Sequence, residues 1–441
     1  MSLDNNENIR KCLVAMSGGV DSSVAAYLMK EEGYSPIGVT MMLHDQDATY
    51  TAGTHLCCTP DDIEDARVVS SSLGIPFYVV NFMEGFKEKI IDKFVETYLR
   101  GETPNPCIDC NRYMKFGRLF EMADEQGCEK VVTGHYARIE YDENRKCYRL
   151  RRAVDPTKDQ TYVLYFLSQQ QLERLHFPLG DYEKTKARDI AEEQGIIVAR
   201  KHDSQDICFV PDGDYAGFME REAGDTVKAA LEKASIEKTA VKKAFVEKDS
   251  EEKNSEEKES EVDSNDSEYS SKNGMFVDMA GNVLGPHKGF YHYTIGQRRG
   301  LGIPAADRLY VVNIIPETNQ VILGANEDLF TRRVEAVDFN LISMPDDDKI
   351  ISNKDSADQT EISRIFAEKN IQDIDVLADD ILMRVSAKIR YRAKDTMGIL
   401  VLHSDKTATM IFDEPVRAVT PGQSLVVYDG DYCIGGGTII R

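Results

Sequence analysis

The first third of the chain alternates apolar runs with amphipathic segments of helical length, and this order restricts the fold more than any other feature. Strands are predicted over Lys11 to Met16, Pro36 to Leu43, Pro76 to Phe82 and Lys130 to Thr133. Helices are predicted near 22–32, 60–73 and 85–100. This βαβα order predicts a doubly wound parallel sheet whose ligand lies at the carboxyl ends of the strands.

The turn after the first predicted strand has the composition of a phosphate-binding loop. It reads Ser17-Gly-Gly-Val-Asp-Ser-Ser23. Two glycines allow close backbone approach, and serines at a helix start expose N–H groups that bind anions. Asp21 would repel phosphate, so we expect it to hold a metal ion or to orient the loop. Neither the Walker loop nor the dinucleotide fingerprint occurs here, which excludes those two nucleotide-binding classes.

Length and charge indicate several domains and one disordered insertion. The 441 residues carry a net charge of −23, and two to four domains are expected. Residues 245–268 contain eleven acidic residues and three lysines. Such a segment buries too little apolar surface to fold, so we predict disorder over about 227–273, and a second polar insertion at about 344–375. An RNA site would need a local basic surface.

The cysteines are interpreted for reactivity, because no secretory signal or membrane span is predicted and the protein is expected to be cytoplasmic. Cys107 and Cys110 lie in Thr103-Pro-Asn-Pro-Cys-Ile-Asp-Cys-Asn111. Two thiols at this spacing can form a dithiol or bind a metal, and the prolines favour an extended approach to them. Cys208, taken alone, is more typical of a core residue than of a catalyst.

Together these segments resemble the bacterial-type tRNA 2-thiouridylase family of the ATP pyrophosphatase-loop superfamily. The resemblance covers nearly the whole chain outside the two insertions. It extends through Thr133-Gly-His-Tyr-Ala137, Lys158-Asp-Gln-Thr-Tyr162, Gly285-Pro-His-Lys-Gly289, residues 293–302, Lys388-Ile-Arg-Tyr-Arg392, Ala418-Val-Thr-Pro-Gly-Gln423 and Gly435-Gly-Gly437. The resemblance implies ATP-dependent replacement of the carbon-2 oxygen of the wobble uridine by sulfur.

The resemblance also implies an ATP site with Mg²⁺. Its residues would be Ala15, Met16, Ser17, Gly18, Gly19, Val20, Asp21, Ser22, Met41 and Gly134. ATP makes an amide-like oxygen a leaving group, because AMP departs in place of oxide. Met41 would pack against adenine, although a core methionine is an equal alternative at that position.

For the sulfur chemistry, the resemblance implies that Cys208 carries a persulfide and that Cys110 resolves it as a disulfide or helps to free the sulfur. This chain has Cys107 where the best-known members have an aspartate proposed as a general acid or base. Cys107, Cys110 and Cys208 could instead bind a [4Fe-4S] cluster through three thiolates. The sequence leaves both routes open.

The resemblance further implies partners and RNA contacts. The tRNA-binding residues would be Asn105, Pro106, Cys107, His135, Lys158, Asp159, Gln160, Arg390, Tyr391 and Gln423. The target base would leave the anticodon stack. Partners would be glutamate, lysine and glutamine tRNAs and a cysteine desulfurase or sulfur-relay protein. The alternative interpretation of His135 is a hydrogen-bonded core histidine.

The expected fold class is α/β plus β. We predict an N-terminal ATP pyrophosphatase domain over residues 1–215, a small central domain over 216–343, and a C-terminal part over 344–441. The last part contains strand-like runs at Ile399 to Leu402, Ala408 to Phe412 and Ser424 to Tyr428, which predict a small β-barrel. Two alternative functions stay open. They are another adenylating enzyme, such as a glutamine-fed amidotransferase or a tRNA lysidine synthetase, and a non-catalytic RNA-binding regulator.

Overall fold

A computed structural model describes residues 10–43, 59–202, 207–210, 212–234, 274–351, 377 and 379–440. Most of the predicted acidic insertion, from residue 235 onward, and residues 352–375 of the second insertion lie outside these ranges. The predicted insertion starts too early at 227, because residues 224–234 are helical and bury Val227, Leu231 and Ala234. Likewise, residues 344–351 are ordered and end in a short strand.

The N-terminal part contains a parallel sheet flanked by helices. The strands of the N-terminal part are β1 (Lys11–Ala15), β2 (Ser35–Met42), β3 (Phe77–Asn81), β4 (Lys130–Val132), β5 (Ala137–Asp142), β6 (Cys147–Arg152) and β7 (Leu175–His176). The sheet order is β3-β2-β1-β4-β7, and every pairing is parallel. The predicted doubly wound fold is confirmed, and the four predicted strands agree with β1 to β4 to within one residue at either end.

Helices connect these strands, and two of them change pitch in the middle. The α-helices are α1 (Val20–Glu31), α2 (Pro60–Leu73), α3 (Met83–Phe86), α4 (Lys93–Leu99), α5 (Pro106–Asp109), α6 (Leu119–Glu125), α7 (Gln169–Arg174), α8 (Lys184–Glu193) and α9 (Tyr215–Glu222). A π-helical segment, Lys87–Asp92, joins α3 to α4, and another, Cys110–Arg118, joins α5 to α6. We call the two continuous rods helix 83–99 and helix 106–125.

Local sequence explains where α2 begins and ends. The Thr59 hydroxyl accepts a hydrogen bond from Asp62 N–H, while the Asp62 carboxylate accepts from Thr59 N–H. Pro60 follows directly, at a position where a missing N–H costs nothing. Gly74 then takes a left-handed φ of 67° and ends the helix.

The central part is a four-stranded sheet. Its strands are β8 (Gly274–Val277), β9 (Val283–His287), β10 (Tyr310–Ile315) and β11 (Gln320–Gly324), in the order β10-β11-β8-β9. Aromatic rings fill its interior, and Phe276 lies 5.0 Å from Tyr293 edge to face. Tyr215 of α9 donates to the His292 carbonyl at 2.8 Å, so this sheet is attached to the N-terminal part.

The C-terminal part is a closed barrel, as predicted. Its strands are β12 (Phe330–Leu341), β13 (Ile350–Ile351), β14 (Ile381–Lys388), β15 (Thr396–Leu402), β16 (Ala408–Arg417), β17 (Ser424–Asp429) and β18 (Tyr432–Ile439). Six of them run in the order β12-β16-β15-β14-β17-β18, and pairing of β12 with β18 closes the ring. The predicted boundary at residue 343 therefore divides the barrel, because β12 belongs to it.

A hairpin of the N-terminal part extends this barrel sheet. Strand β6 pairs with β18 through Arg151 opposite Tyr432 and Leu150 opposite Cys433. Arg149 lies over the Tyr432 ring at 3.6 Å, and Arg152 over the Tyr428 ring at 3.9 Å. The barrel is thus joined to the N-terminal part by backbone pairing as well as by side chains. No described helix is long and apolar enough to cross a membrane.

Gly436 on β18 tests how closely the barrel approaches its neighbours. A Cβ atom there would lie 2.6 Å from the Leu425 carbonyl oxygen and 2.9 Å from the ring of Tyr165. Gly436→Ala is expected to cost about 1–3 kcal/mol, the usual range for overpacking, and to lower the melting temperature. Gly224→Ala is the matched control, since nothing lies within 4 Å of its added methyl group. Equal melting temperatures for the two variants, by circular dichroism, would contradict this packing.

Candidate active site

The predicted phosphate loop connects β1 to α1 at the carboxyl edge of the parallel sheet. Gly18 has φ +70°, and Gly19 occupies the N-cap of α1 without a side-chain cap. The Ser22 hydroxyl accepts from Ser17 N–H at 3.1 Å and donates to the Gly19 carbonyl at 3.2 Å. The loop is therefore held in shape by its own serine, and the helix start is open to an anion.

Two glycines are required by close backbone approach. A Cβ atom on Gly18 would lie 2.2 Å from the Asp62 carbonyl oxygen at the start of α2. A Cβ atom on Gly134, which follows β4, would lie 2.8 Å from the backbone nitrogen of Ser22. The loop is thus enclosed by α2 on one side and by the segment after β4 on the other.

Two lysines that sequence reasoning missed hold the loop electrostatically. Lys184, at the start of α8, donates to both carboxylate oxygens of Asp21 at 2.7 Å, and the Tyr136 hydroxyl donates to the same group at 2.8 Å. Lys201 donates to the Gly18 carbonyl at 3.1 Å and pairs with the carboxylates of Asp62 and Asp65. Neither lysine belongs to a recognisable short motif, and only the fold brings them to the loop.

Opposing effects act on the pKa of Lys201. Burial works to lower the pKa, but the hydrogen bonds to Asp62 and Asp65 outweigh burial and raise it. Lys201 is therefore a permanent cation beside the loop. Together with Lys184 it places positive charge beside the loop, where the two lysines offset the carboxylates of Asp21, Asp62 and Asp65.

The remaining ATP-site predictions lie around this loop. Met16 is buried and its sulfur accepts from the Ser70 hydroxyl at 3.2 Å. Met41 lies on β2 and is 7% exposed within the apolar core, so its packing role is at least partly structural. Ala15 ends β1, and Val20 begins α1.

Cys107 and Cys110 lie at the start of helix 106–125. Pro106 occupies the first helical position after Asn105, so the extended approach that the prolines predict ends here and both thiols lie on a helix. The Cys107 side chain is exposed, whereas Cys110 is half-buried and begins the π-helical segment. Such π-helical segments are frequent at functional sites. The Asp109 carboxylate accepts a hydrogen bond from the Lys93 ammonium group at 2.6 Å.

The segment that carries Cys208 and the segment that carries Cys110 both pack against helix 83–99. Phe209, the neighbour of Cys208, packs edge-on against Phe94 of helix 83–99, with ring centroids 5.1 Å apart. Asp109, the neighbour of Cys110, pairs with Lys93 on that helix. Consecutive residues of one helix therefore anchor the segments that carry the two predicted catalytic cysteines.

The three thiols do not form a visible ligand set. Among the described residues, no group of three His, Cys, Asp or Glu side chains is arranged to hold a metal ion. Binding of a [4Fe-4S] cluster by Cys107, Cys110 and Cys208 stays a prediction.

The predicted tRNA residues before residue 200 differ in exposure. His135 is 7% exposed, lies 5.7 Å from the Phe116 ring, and shares a 2.7 Å hydrogen bond between its Nδ1 and the Thr133 hydroxyl. Asp159 is buried and accepts from the Thr161 hydroxyl at 2.8 Å. Gln160 pairs with the backbone of Tyr136 through its own N–H and its Oε1, both at 2.9 Å. Lys158 is half-buried.

The RNA contacts predicted in the C-terminal part lie near helix 106–125, which carries Cys107 and Cys110 and is called the cysteine helix below. Arg390 and Tyr391 are exposed on the turn after β14, and the Tyr391 ring lies 6.0 Å from that of Tyr162. Burial, followed by the charge of nearby Asp159 and a smaller effect of Cys107, raises the pKa of Tyr391, although Arg392 opposes this. Gln423 donates to the carbonyls of Thr103 and Pro104 at 3.0 and 3.2 Å. Its side-chain amide is therefore occupied by protein.

Comparison with known proteins identifies the family. The sequence is 43% identical over 431 residues to the tRNA-specific 2-thiouridylase MnmA of Clostridioides difficile (strain 630), covering 98% of each chain. The chain belongs to the tRNA-specific 2-thiouridylase family. It is also 42% identical to MnmA of Clostridium acetobutylicum over 98% of this chain and 99% of the other. The resemblance inferred from the motifs is confirmed.

Domain families match each part of the chain. Residues 10–212 match the tRNA methyl transferase HUP domain, residues 266–325 the tRNA methyl transferase PRC-barrel domain, and residues 364–439 the aminomethyltransferase beta-barrel domain. These matches follow the parallel sheet, the central sheet and the closed barrel. The HUP match covers the loop after β1 and agrees with the use of ATP by the N-terminal part.

Gly134→Ala tests the enclosure of the loop. The added methyl group would meet the backbone of Asp21 and Ser22 at 2.8 Å, so the helix start must shift. We expect the Kd for ATP to rise at least about tenfold, which corresponds to about 1.4 kcal/mol. Calorimetric titration with a non-hydrolysable ATP analogue measures this, with Gly224→Ala as control. An unchanged Kd would contradict a nucleotide site at this loop.

His135 predicts a pH dependence of stability. Burial, and then the charge of Lys115, holds the pKa of His135 well below its usual range. Above about pH 6.5 the stabilisation by neutral His135 is complete. As the pH falls below that value, the histidine of the unfolded chain takes up a proton first, so this stabilisation is lost progressively down to the folded-state pKa. We expect the melting temperature of the wild type to fall more steeply than that of His135→Gln between pH 7 and 5.5. Parallel profiles would show that the residue does not stay neutral.

Proposed function

We propose that the protein is an ATP-dependent tRNA-uridine 2-sulfurtransferase that thiolates carbon 2 of the wobble uridine. One arrangement carries this proposal. A phosphate loop clamped by Lys184 and Lys201 lies in the same part of the chain as two cysteine segments anchored on Lys93 and Phe94. An adenylating enzyme without sulfur chemistry has no need for the second feature.

The first step is adenylation. The uridine O2 attacks the α-phosphorus of ATP, and pyrophosphate leaves with the electron pair of the broken P–O bond. The N–H groups at the start of α1 and the cations of Lys184 and Lys201 stabilise the charge that develops on pyrophosphate. Asp21 and the loop hydroxyls are oxygen donors of the type that Mg²⁺ prefers, and the ion would supply further charge neutralisation there.

The second step transfers sulfur. The terminal sulfur of a Cys208 persulfide attacks carbon 2 of the activated uridine, and AMP leaves. The Cys110 thiolate then attacks Sγ of Cys208, which breaks the persulfide S–S bond and leaves the sulfur on the base. The product is a Cys110–Cys208 disulfide, which an external thiol must reduce before the next turnover. A [4Fe-4S] cluster held by Cys107, Cys110 and Cys208 is the alternative route for the sulfur.

The macromolecular substrate is tRNA of the glutamate, lysine and glutamine types, and the sulfur donor is a cysteine desulfurase or a relay protein. Support for RNA binding comes from the exposed turn after β14, which presents Arg390, Tyr391, Arg392 and Lys394 beside the Cys107 segment. Aromatic and arginine side chains of this kind stack on extruded bases. The acidic net charge of the chain confines the RNA to such local basic surfaces.

The test is anaerobic thiolation of unmodified tRNA with ATP, Mg²⁺, cysteine and a cysteine desulfurase, with 2-thiouridine measured by mass spectrometry. We expect Cys110→Ser and Cys208→Ser each to lose at least about 100-fold in rate, because each removes a bond-forming sulfur. Pyrophosphate release in a single turnover should persist in both. Cys147→Ser, on β6, is the matched control.

Cys107→Ser separates the two sulfur routes. We expect it to retain thiolation, and iron and sulfide assays of the anaerobically purified protein to find neither element. Loss of activity together with loss of bound iron would overturn the persulfide route in favour of a cluster. Absence of 2-thiouridine with every donor would overturn the sulfurtransferase proposal itself.

A further inference from the structure

The segment Thr103-Pro-Asn-Pro106 leads into the cysteine helix but has few backbone hydrogen bonds of its own. Prolines at 104 and 106 lack an N–H group, so the segment cannot join a strand ladder on both sides. Pro104 and Pro106 are nevertheless buried. The backbone carbonyls of Thr103 and Pro104 therefore need donors from elsewhere in the fold.

The barrel supplies these partners from one short stretch, Pro421 to Ser424, which we call the barrel clasp. The two N–H groups of the Gln423 amide donate to the Thr103 and Pro104 carbonyls at 3.0 and 3.2 Å. In return, Thr103 N–H donates to the Pro421 carbonyl at 2.8 Å. A Cβ atom on Gly422 would lie 2.9 Å from the Thr103 oxygen, so the two backbones are in contact.

The same clasp reaches the other side of the cysteine helix. The Ser424 N–H donates to the Tyr162 hydroxyl oxygen at 3.3 Å, and the Tyr162 hydroxyl donates to the Ser424 carbonyl at 2.9 Å. The next residue, Val163, offers its carbonyl to the side-chain amide of buried Asn111 at 3.2 Å. Asn111 directly follows Cys110, so the clasp is connected to the helix both before Cys107 and after Cys110.

We propose that Gln423 is a positioning residue for the sulfur-transfer step and acts through the 103–106 segment. This proposal deepens the proposed function and rests on it for the role of Cys110. A displacement of about 1 Å at a reacting group can cost on the order of 100-fold in rate. The barrel thereby takes part in the chemistry of a cysteine that is more than 300 residues away along the chain.

The test compares Gln423→Glu and Gln423→Met with wild type. Gln423→Glu keeps the shape of the side chain but removes both N–H donors and repels the carbonyls of Thr103 and Pro104. Gln423→Met removes the donors without adding charge. We expect kcat for 2-thiouridine formation to fall about 10- to 100-fold, with the KM for tRNA and single-turnover pyrophosphate release unchanged. Gln126→Glu, at the exposed end of α6, is the matched control. A rise in KM with unchanged kcat would overturn the proposal and make Gln423 an RNA contact.

A second measurement needs neither tRNA nor ATP. Alkylation of the Cys110 thiol by iodoacetamide, followed by mass spectrometry of its peptide, reports directly on the helix start. We expect a several-fold faster reaction in both Gln423 variants, with the Cys147 rate unchanged as an internal control. Equal Cys110 rates in folded wild type and variants, as judged by melting temperature, would overturn the clasp. Because this result is independent of catalysis, it separates failure of the clasp from failure of the sulfurtransferase proposal.

Discussion

Backbone pairing between β18 and β6 is the constraint on which the rest of the arrangement depends. Strand β18 is shared by three neighbours, since it pairs with β17 and β12 inside the barrel and with β6 of the N-terminal hairpin. A shared strand fixes both position and register, whereas side-chain packing alone would permit sliding. The barrel therefore meets the catalytic part at a defined place, and its turn after β14 and its stretch 421–424 can reach the cysteine helix.

The phosphate loop shows how charge is balanced in a small volume. Asp21, Asp62 and Asp65 place three carboxylates around a loop that is built to accept anions. Lys184 and Lys201 offset them, and each lysine also makes short hydrogen bonds that fix its position. Removing one lysine would leave a partly buried carboxylate without its counter-charge, which costs more than the net contribution of the pair. Substrate phosphate would meet cations that are already positioned.

Much of the architecture could be predicted from the sequence because the relevant signals are local. Apolar periodicity located β1 to β4, and the loop composition placed the helix start at Ser22, two residues after its observed start at Val20. The family resemblance rested on motifs that were short and correctly ordered. The prediction was poorer where pairing is non-local: β12 was placed in the central domain, and nothing indicated that the β5–β6 hairpin would join the barrel. Composition likewise extended the disordered insertion to residue 227, although Val227 and Leu231 are buried in a helical segment.

For the candidate site, the sequence by itself determined which chemical groups are present and the conformation of the segments that carry them. Glycines at 18 and 134, prolines at 104 and 106, and cysteines at 107, 110 and 208 are local facts with local consequences. Only the tertiary structure decided which groups meet. Lys184 and Lys201 reach the loop, His135 lies among aromatic rings, and Gln423 binds the carbonyls before Cys107. The physical reason is that each of these positions depends on a partner distant in sequence, which is fixed only when strands pair and the core closes.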